Sequence, residues 1–386
     1  MLRGFSCNGG CAKTLKAVLL LPFVCGCLGR ARASVPPGSA ETGASLSHDA
    51  PTADAAPFWV EAPPRSPTTL TPLAPLSDSD KASWAAVRLD PEPEAIIRDT
   101  HYFVSNERSP EYFRSALTRL GGVGVGVGAE QNYLFAGWAR PELLVLIDFD
   151  QAVVDLHAVY RVAFLNAATP EEFCALWARP SRKRFVELID AAYAGTPRPK
   201  AAHRIFIQAR SAVSWRLDKI KEHFLEIGVP TFVTDLGEYA YVRSLFATER
   251  VVRLRGDLTG GRALVDLGAL LKEQHRVVRW TYLSNAEQYF KYTPRFRRNM
   301  LGLPFDDASL VIRTRAHRLD YAYVVQLFGN FTAWLAEPRV RSVRAVVPRS
   351  LLKHGGPYLE IAGLPPPQQA GKIPRTRRGA DSPDGS

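Results

Sequence analysis

From about Ser83 onward, short apolar runs alternate with longer segments in which apolar residues recur at helical spacing. Apolar runs of this kind indicate buried strands, and the amphipathic segments between them indicate helices. The first unit contains a glycine-rich strand near 121–128, a helix over 130–139, the strand Leu143–Asp148 and a helix over 151–167. This order is typical of a parallel sheet with right-handed crossovers. We therefore expect an α/β fold with a doubly wound, mostly parallel Rossmann-like sheet.

The same alternation resumes after a break at about 169–245, where the pattern predicts a helical insertion that caps the cleft at the carboxyl edge of the sheet. Thr169 is a suitable N-cap for the first helix of this insertion, and 212–227 forms a later helix, followed by a possible short strand at 232–235. The remaining expected strands are 251–257, 275–283, 310–315 and 340–347, and the remaining expected helices are 262–273 and 321–336.

The first 33 residues have the features of an export signal. Basic residues precede the apolar segment 17–28, and Ala31-Arg32-Ala33 fits the small-x-small pattern of a cleavage site. Val24-Cys25-Gly26-Cys27 is similar to a lipobox, in which Cys27 would carry a lipid and tether the protein to a membrane. We expect an exported protein, either periplasmic or a membrane-anchored lipoprotein. The alternative is a cytoplasmic protein whose start is mis-assigned.

Two further segments lack apolar periodicity. Residues 34–80 are rich in Pro, Ala, Ser and Thr, a composition that cannot bury enough surface to offset its ordering entropy. The predicted organisation is therefore a disordered tether over 34–80, a folded domain over 81–365 and a disordered basic tail over 366–386.

Charge and cysteine content exclude several classes of site. The net charge is +11, but the basic residues are dispersed and are not interleaved with aromatic residues, so we expect no nucleic-acid partner. Cys174 is the single cysteine after residue 27, which excludes an internal disulfide framework and a cysteine metal site. The histidines have no metal-ligand spacing, and no metal is expected.

The glycine-rich stretch is the main functional signal. Gly124, Gly126 and Gly128 lead into a helix, and Asp148 ends the next strand about 20 residues later. Glycine allows close approach of the backbone to a ligand, a helix N-terminus offers free N–H groups, and an acid accepts hydrogen bonds from ribose hydroxyls. This arrangement indicates a site for a nucleotide-like cofactor. The alternative is a tightly packed strand whose glycines admit a neighbouring helix.

Four stretches in order resemble an uncharacterised bacterial family with the fold of class I S-adenosylmethionine-dependent methyltransferases. They are Gly126-Val127-Gly128-Ala129-Glu130-Gln131-Asn132, the strand ending in Asp148, the strand ending in Gly256-Asp257, and Tyr282-Leu283-Ser284-Asn285-Ala286-Glu287-Gln288-Tyr289. The resemblance covers roughly residues 100–350. It implies S-adenosylmethionine as the cofactor and a methyl acceptor of unknown identity.

The resemblance also implies roles for individual residues. Gly126 and Gly128 would line the methionine and ribose part of the cofactor, Asp148 would hold the ribose hydroxyls, and Asp257 would lie beside the adenine amino group. The cofactor-binding set is completed by Glu130 and Asn132. The catalytic set, at the end of the fourth strand, is Ser284, Asn285, Glu287 and Tyr289.

Several alternatives stay open at the level of sequence. Ser284 and Asn285 could cap the next helix together with Glu287, and Glu130 could favour a helix N-terminus as an anion. Ser105-Asn106-Glu107 repeats the Ser-Asn pattern and either caps a helix or meets Ser284-Asn285 at the cleft.

Two other function classes also stay open. Gly124-x-Gly126-x-x-Ala129 fits the dinucleotide fingerprint, so an NAD(P)-dependent oxidoreductase is the second hypothesis, although no Tyr-x-x-x-Lys pair follows. In many methyltransferases of this fold an acid stands where this chain has Gly124. The third hypothesis is therefore an exported, lipid-tethered, non-catalytic protein with the same fold.

Overall fold

Seven strands form one sheet in this computed structural model, which describes residues 73–196, 199–354 and 357–361. The strands are β1 Val123–Val127, β2 Leu143–Asp148, β3 Val251–Arg255, β4 Val278–Tyr282, β5 Leu310–His317, β6 Asp320–Leu327 and β7 Tyr358–Glu360. Their spatial order is β3-β2-β1-β4-β5-β6-β7. Among the described strands, every neighbouring pair is parallel except β5 and β6, which form an antiparallel hairpin. The fold is thus mixed α/β with a mostly parallel sheet.

Both faces of the central strands are buried, as expected for a parallel sheet covered by helices on each side. Along β2, Leu144 and Leu146 belong to one apolar core, whereas Leu143, Val145 and Ile147 belong to the other. Because side chains alternate along a strand, a continuous run of leucine, valine and isoleucine supplies both cores at once.

Helices lie on both faces of the sheet. The α-helices are α1 Asp78–Ala85, α2 Arg114–Leu117, α3 Gln131–Ala139, α4 Gln151–Asn166, α5 Pro170–Trp177, α6 Arg182–Ala192, α7 Pro199–Glu226, α8 Leu236–Ala247, α9 Ala263–Glu273, α10 Pro294–Gly302, α11 Phe328–Ala336, α12 Val343–Val346 and α13 Arg349–His354. Helices α3 to α8 contribute to the core that contains Leu144, and α9 to α11 contribute to the opposite core.

Helices α5 to α8 occupy the region of the expected insertion, and the Thr169 hydroxyl caps α5 by accepting a hydrogen bond from the backbone N–H of Glu172 at 3.2 Å. These helices pack on α3 and α4. They contribute none of the residues that line the main cleft in the described part of the chain. The expectation that the insertion caps the cleft is therefore wrong: it thickens one face of the sheet.

Three expected elements are wrong. Residues 321–327 form strand β6 instead of a helix, because Arg318 adopts a left-handed backbone (φ 51°) and turns the chain back along β5. Residues 343–346 form α12 instead of a strand. Residues 232–235 form a turn, in which the Thr234 hydroxyl accepts the backbone N–H of Thr231 at 2.9 Å.

The expected tether also ends earlier than residue 80. Leu76 is buried, and its backbone N–H donates to the carbonyl oxygen of Thr248 at 3.1 Å. The Ser77 hydroxyl then caps α1 by accepting from the N–H of Asp80 at 3.0 Å. The export signal, Cys27, most of the tether and the tail 366–386 lie outside the described residues. Within the described residues, no helix combines the length and apolarity needed to cross a bilayer.

Candidate functional site

A cleft of about 570 Å³ lies at the carboxyl ends of the parallel strands. Residues that follow each of β1, β2, β3 and β4 line it, and so does the segment 97–106, which we call the strap. β1 and β4 are neighbours at the centre of the sheet, and the chain proceeds outward from them in opposite directions. Open α/β sheets bind ligands at such a change of direction, outside the carboxyl ends of the strands.

The three glycines of the β1 region are needed for different structural reasons. A side chain at Gly124 would overlap the indole of Trp280 on β4, and one at Gly126 would overlap the amide of Asn132. Gly128 has a left-handed backbone (φ 81°), which favours glycine, and it lines the cleft. Gly124 and Gly126 therefore serve packing, and Gly126 does not belong to the cleft wall.

Asp148 ends β2 and lines the cleft. Burial raises its pKa to about 7, although backbone N–H groups, among them that of Asp150 at 2.9 Å, favour the charged form. Both protonation states of this carboxyl are therefore accessible near neutral pH. In its ionised form it is an acceptor for ligand hydroxyls.

The carbonyl of Gly128 is held by a buried histidine. Burial lowers the pKa of His157 to about 3, so its imidazole is neutral. The carbonyl oxygen of Gly128 lies 3.0 Å from Nε2 and requires a donor, which assigns the proton to Nε2. Nδ1 then accepts from the Tyr133 hydroxyl at 2.6 Å. This chain of hydrogen bonds connects the glycine loop to the core.

The loop after β3 presents Asp257 to the cleft. The Asp257 carboxylate accepts from the backbone N–H and the hydroxyl of Thr259 at 2.7 and 2.9 Å. The loop itself is held by Asp90, which is buried and accepts from the N–H groups of Asp257, Gly261 and Arg262 at 2.9 to 3.1 Å. Asp90 thus fixes the position of the loop that presents Asp257 to the cleft.

Ser284 follows β4, lines the cleft and has a left-handed backbone (φ 48°), which is uncommon for a residue other than glycine. Its hydroxyl donates to Oε1 of Glu107 at 3.0 Å. The Thr314 hydroxyl donates to the same oxygen at 2.7 Å, and the Tyr282 hydroxyl donates to Oε2. Glu107 is buried, and desolvation raises its pKa against the effect of these three donors.

The other residues at this end of the cleft are amides and tyrosines. Asn285 donates through Nδ2 to the Tyr321 hydroxyl at 3.1 Å, and Asn106 of the strap interacts with the same hydroxyl. Tyr289 also lines the cleft, with 53% of its surface exposed. This end of the cleft is therefore aromatic and polar.

The two Ser-Asn stretches meet at the cleft, as one of the sequence alternatives predicts. The competing interpretation, that Ser284 and Asn285 cap the next helix, is wrong: the short helix Ala286–Gln288 starts after Asn285 without a side-chain cap. Both side chains instead bond to other partners: Ser284 to Glu107 and Asn285 to Tyr321.

Glu130 and Asn132 are fully buried and do not line the cleft. The Glu130 carboxylate accepts from Nε of Arg216 at 2.8 Å and from the backbone N–H of Ser105 at 3.1 and 3.2 Å. Nη2 of Arg216 also donates to the carbonyl oxygen of Glu107 at 2.8 Å. Glu130 thus joins α7 of the insertion to the strap, a structural role that the sequence did not indicate.

Glu287 is likewise buried away from the cleft wall. Its Oε2 lies 2.9 Å from Nε of Arg313, and its Oε1 accepts from the Tyr292 hydroxyl at 2.5 Å. Arg313 is fully buried and lies over the Phe331 ring, 4.4 Å from the centroid. Of the expected catalytic set, Ser284, Asn285 and Tyr289 are in the cleft and Glu287 is in this internal ion pair. Of the expected cofactor set, Gly128, Asp148 and Asp257 are in the cleft.

Residues 102–364 match the family described as Domain of unknown function (DUF7790). The chain belongs to this family. The matched range contains all seven strands and every cleft-lining residue except those between 97 and 100. A comparison with curated proteins found no match. The family description assigns no activity.

Proposed function

We propose that the cleft binds S-adenosylmethionine and that the protein is a methyltransferase with the class I, Rossmann-like fold. The observation that carries the proposal is the meeting of Gly128, Asp148, Asp257 and Ser284 around one cleft, each at the end of a different parallel strand. The strand order β3-β2-β1-β4-β5 supports the same fold. The cleft volume, about 570 Å³, is within the usual range for small-molecule sites.

The proposed pose follows from the hydrogen-bonding capacity of each strand end. The Asp148 carboxylate would accept from the two ribose hydroxyls, next to the Gly128 backbone. The Asp257 carboxylate would accept from the adenine amino group. The sulfonium and its methyl group would then lie toward Ser284 and Asn285. Methyl transfer depends mainly on alignment of the acceptor with the sulfonium, so a few positioning groups suffice.

The same geometry argues against the dinucleotide alternative. In dinucleotide sites the second glycine lets the backbone approach the pyrophosphate, which rests on the following helix N-terminus. At Gly126 that space is occupied by the Asn132 amide. This occupied space disfavours a pyrophosphate at Gly126.

Isothermal titration of the full chain with S-adenosylmethionine, S-adenosylhomocysteine and NAD tests the proposal. We expect binding of the first two and none of NAD. Asp148→Ala is expected to abolish binding, because the ribose acceptor is removed. Binding of NAD alone would support the oxidoreductase, and absence of binding by all three would support the non-catalytic alternative.

The N-terminal segment leads to a separate proposal about location. We infer from its basic and apolar composition that it directs export, and from Cys27 that a lipid tethers the protein to a membrane. Cell fractionation with a Cys27→Ala comparison tests this, as specified in the Discussion.

A further inference from the structure

We infer that the methyl acceptor is an uncharged aromatic hydroxyl and that Ser284 relays its proton to Glu107. This inference rests on the proposed function, because it requires S-adenosylmethionine as the methyl donor. It identifies Glu107 as a base, which the sequence did not indicate, and it also identifies a class of substrate. Ser284 lies at the end of the cleft between the strap and the strand ends of β4 and β5.

The surroundings of this cleft end favour a flat, uncharged molecule. Tyr289 is a large side chain that stays about half exposed in the cleft, and the next residue, Phe290, also lines it. Exposed aromatic surface of this kind is suited to stack against a ring. From Ser284 to Phe290, the residues that line the cleft are all uncharged. A charged acceptor would find no opposite charge among them.

The hydrogen bonds fix the direction of a proton relay. The Ser284 hydroxyl donates to Oε1 of Glu107 at 3.0 Å, so its proton points out of the cleft and its oxygen lone pairs remain available to an acceptor. Glu107 is 1% exposed, and of the three side chains that donate to its carboxylate, Ser284 is the one that lines the cleft. Burial also raises the pKa of Glu107, which suits a carboxylate that must accept a proton.

The chemical step balances with these groups. The acceptor oxygen forms a bond to the methyl carbon while the sulfur–methyl bond breaks. The electron pair of the broken bond stays on sulfur and gives S-adenosylhomocysteine. The hydroxyl proton passes to Oγ of Ser284 as the serine proton passes to Oε1 of Glu107. The products are an aryl methyl ether, S-adenosylhomocysteine and neutral Glu107, which later releases its proton to solvent. A neutral amine needs no base before attack, so this relay favours hydroxyl acceptors.

The test uses the full chain with S-adenosylmethionine and matched pairs of acceptors. The phenols are para-cresol, catechol and β-naphthol, and the amines are para-toluidine, ortho-phenylenediamine and β-naphthylamine. Formation of S-adenosylhomocysteine is measured for each. We expect turnover of at least one phenol, at least about tenfold faster than that of its amine. Turnover of amines at the same rate or faster, or of no phenol, would overturn the inference.

Two variants separate a relay from a merely structural role. Glu107→Gln and Ser284→Ala are each expected to lower kcat by about 100-fold or more, since general base catalysis contributes about 10²–10⁴-fold. Ser284→Ala keeps the bonds of Tyr282 and Thr314 to Glu107, so folding should survive. At saturating S-adenosylmethionine, wild-type kcat should fall with decreasing pH as Glu107 takes up a proton, and this limb should be absent in Ser284→Ala.

The control is Glu111→Gln, the same change at a nearby acid whose carboxylate bonds to His223 outside the cleft. It should keep the wild-type kcat and pH profile. Wild-type kcat in both relay variants would overturn the relay. Titration of the wild type with S-adenosylmethionine separates failure of the proposed function from failure of this inference. Absence of binding refutes the proposed function. Binding without phenol turnover, or without the expected loss of kcat in the relay variants, refutes only this inference.

Discussion

Affinity for S-adenosylmethionine is expected to fall as the pH drops below 7, because the ribose hydroxyls need the carboxylate form of Asp148. Burial raises the pKa of Asp148 to about 7 in the free protein. If only the ionised form binds, the Kd rises about tenfold for each pH unit below 7, or about 1.4 kcal/mol per unit. From pH 8 to pH 5 the Kd should therefore increase about 100-fold.

Calorimetric titration between pH 5 and pH 8 measures this dependence directly. Near pH 6, formation of the complex should release about one proton. This release makes the measured binding heat depend on the ionisation enthalpy of the buffer. Asp148→Asn should bind weakly at every pH. Asp155→Asn is the matched control: this acid lies on α4 outside the main cleft and should leave the profile unchanged.

The same pKa shift has a consequence for stability. Folding raises the pKa of Asp148 from 3.8 to about 7, so the folded state binds the proton more tightly. The contribution of this group to stability is present below the unfolded pKa and is lost as pH rises from about 4 to about 7. Without ligand, Asp148→Asn should therefore be more stable than the wild type at pH 8.

A constant Kd from pH 5 to pH 8, or wild-type affinity in Asp148→Asn, would refute the reasoning.

Three further predictions concern the rest of the chain. Arg216→Met should lower the free energy of unfolding by about 3–5 kcal/mol in urea denaturation, because it leaves Glu130 charged, unpaired and fully buried. Gly124→Ala should destabilise the fold by about 1–3 kcal/mol in the same assay, because the added methyl group would overlap the Trp280 indole. Cys27→Ala should move the protein from the membrane fraction to the soluble fraction of cells, because the proposed lipid attachment site is lost.

Each of these predictions has a control and an opposing outcome. Lys219→Met removes an exposed ion pair on the same helix as Arg216 and should change stability little. Gly261→Ala adds a methyl group where no atom lies within 4 Å and should be tolerated. Equal destabilisation by variant and control would contradict the packing arguments. Identical fractionation of wild type and Cys27→Ala would contradict the lipid tether.

The parallel strands could be predicted in their order along the chain, because each has a recognisable local sequence pattern. The run Leu143–Asp148 is apolar on both faces and ends in an acid, a pattern that indicates a doubly covered strand without knowledge of its neighbours. Strand β6 could not be recognised in this way. Its apolar residues continue directly into α11, and only the turn at Arg318 and pairing with β5 make residues 320–327 extended.

The cleft could be predicted in part for the same reason. Asp148, Asp257 and Ser284 end their strands, and the carboxyl ends of parallel strands share one edge of the sheet. Glu130 and Glu287 follow the same motifs but are drawn into buried ion pairs by Arg216 and Arg313, which are 86 and 26 residues away along the chain. Local spacing carries no information about such partners.

The hydrogen bonds that hold the cleft loops in place join residues that lie still further apart in the sequence. Asp90 holds a loop that lies 167 to 172 residues later, and Glu107 collects donors 175 to 207 residues later. Before the fold is known, a lone acid in an irregular segment has no distinguishing pattern. The Ser105-Asn106-Glu107 repeat of the Ser-Asn motif was the one available signal for this contact.

A crystal structure of the full chain with S-adenosylhomocysteine tests the central claim most directly. We expect the ligand in the cleft at the carboxyl edge of the sheet, with both ribose hydroxyls within hydrogen-bonding distance of Asp148 and the adenine amino group beside Asp257. The homocysteine sulfur should lie toward Ser284. A ligand bound outside this cleft, or a ribose that contacts neither acid, would contradict it.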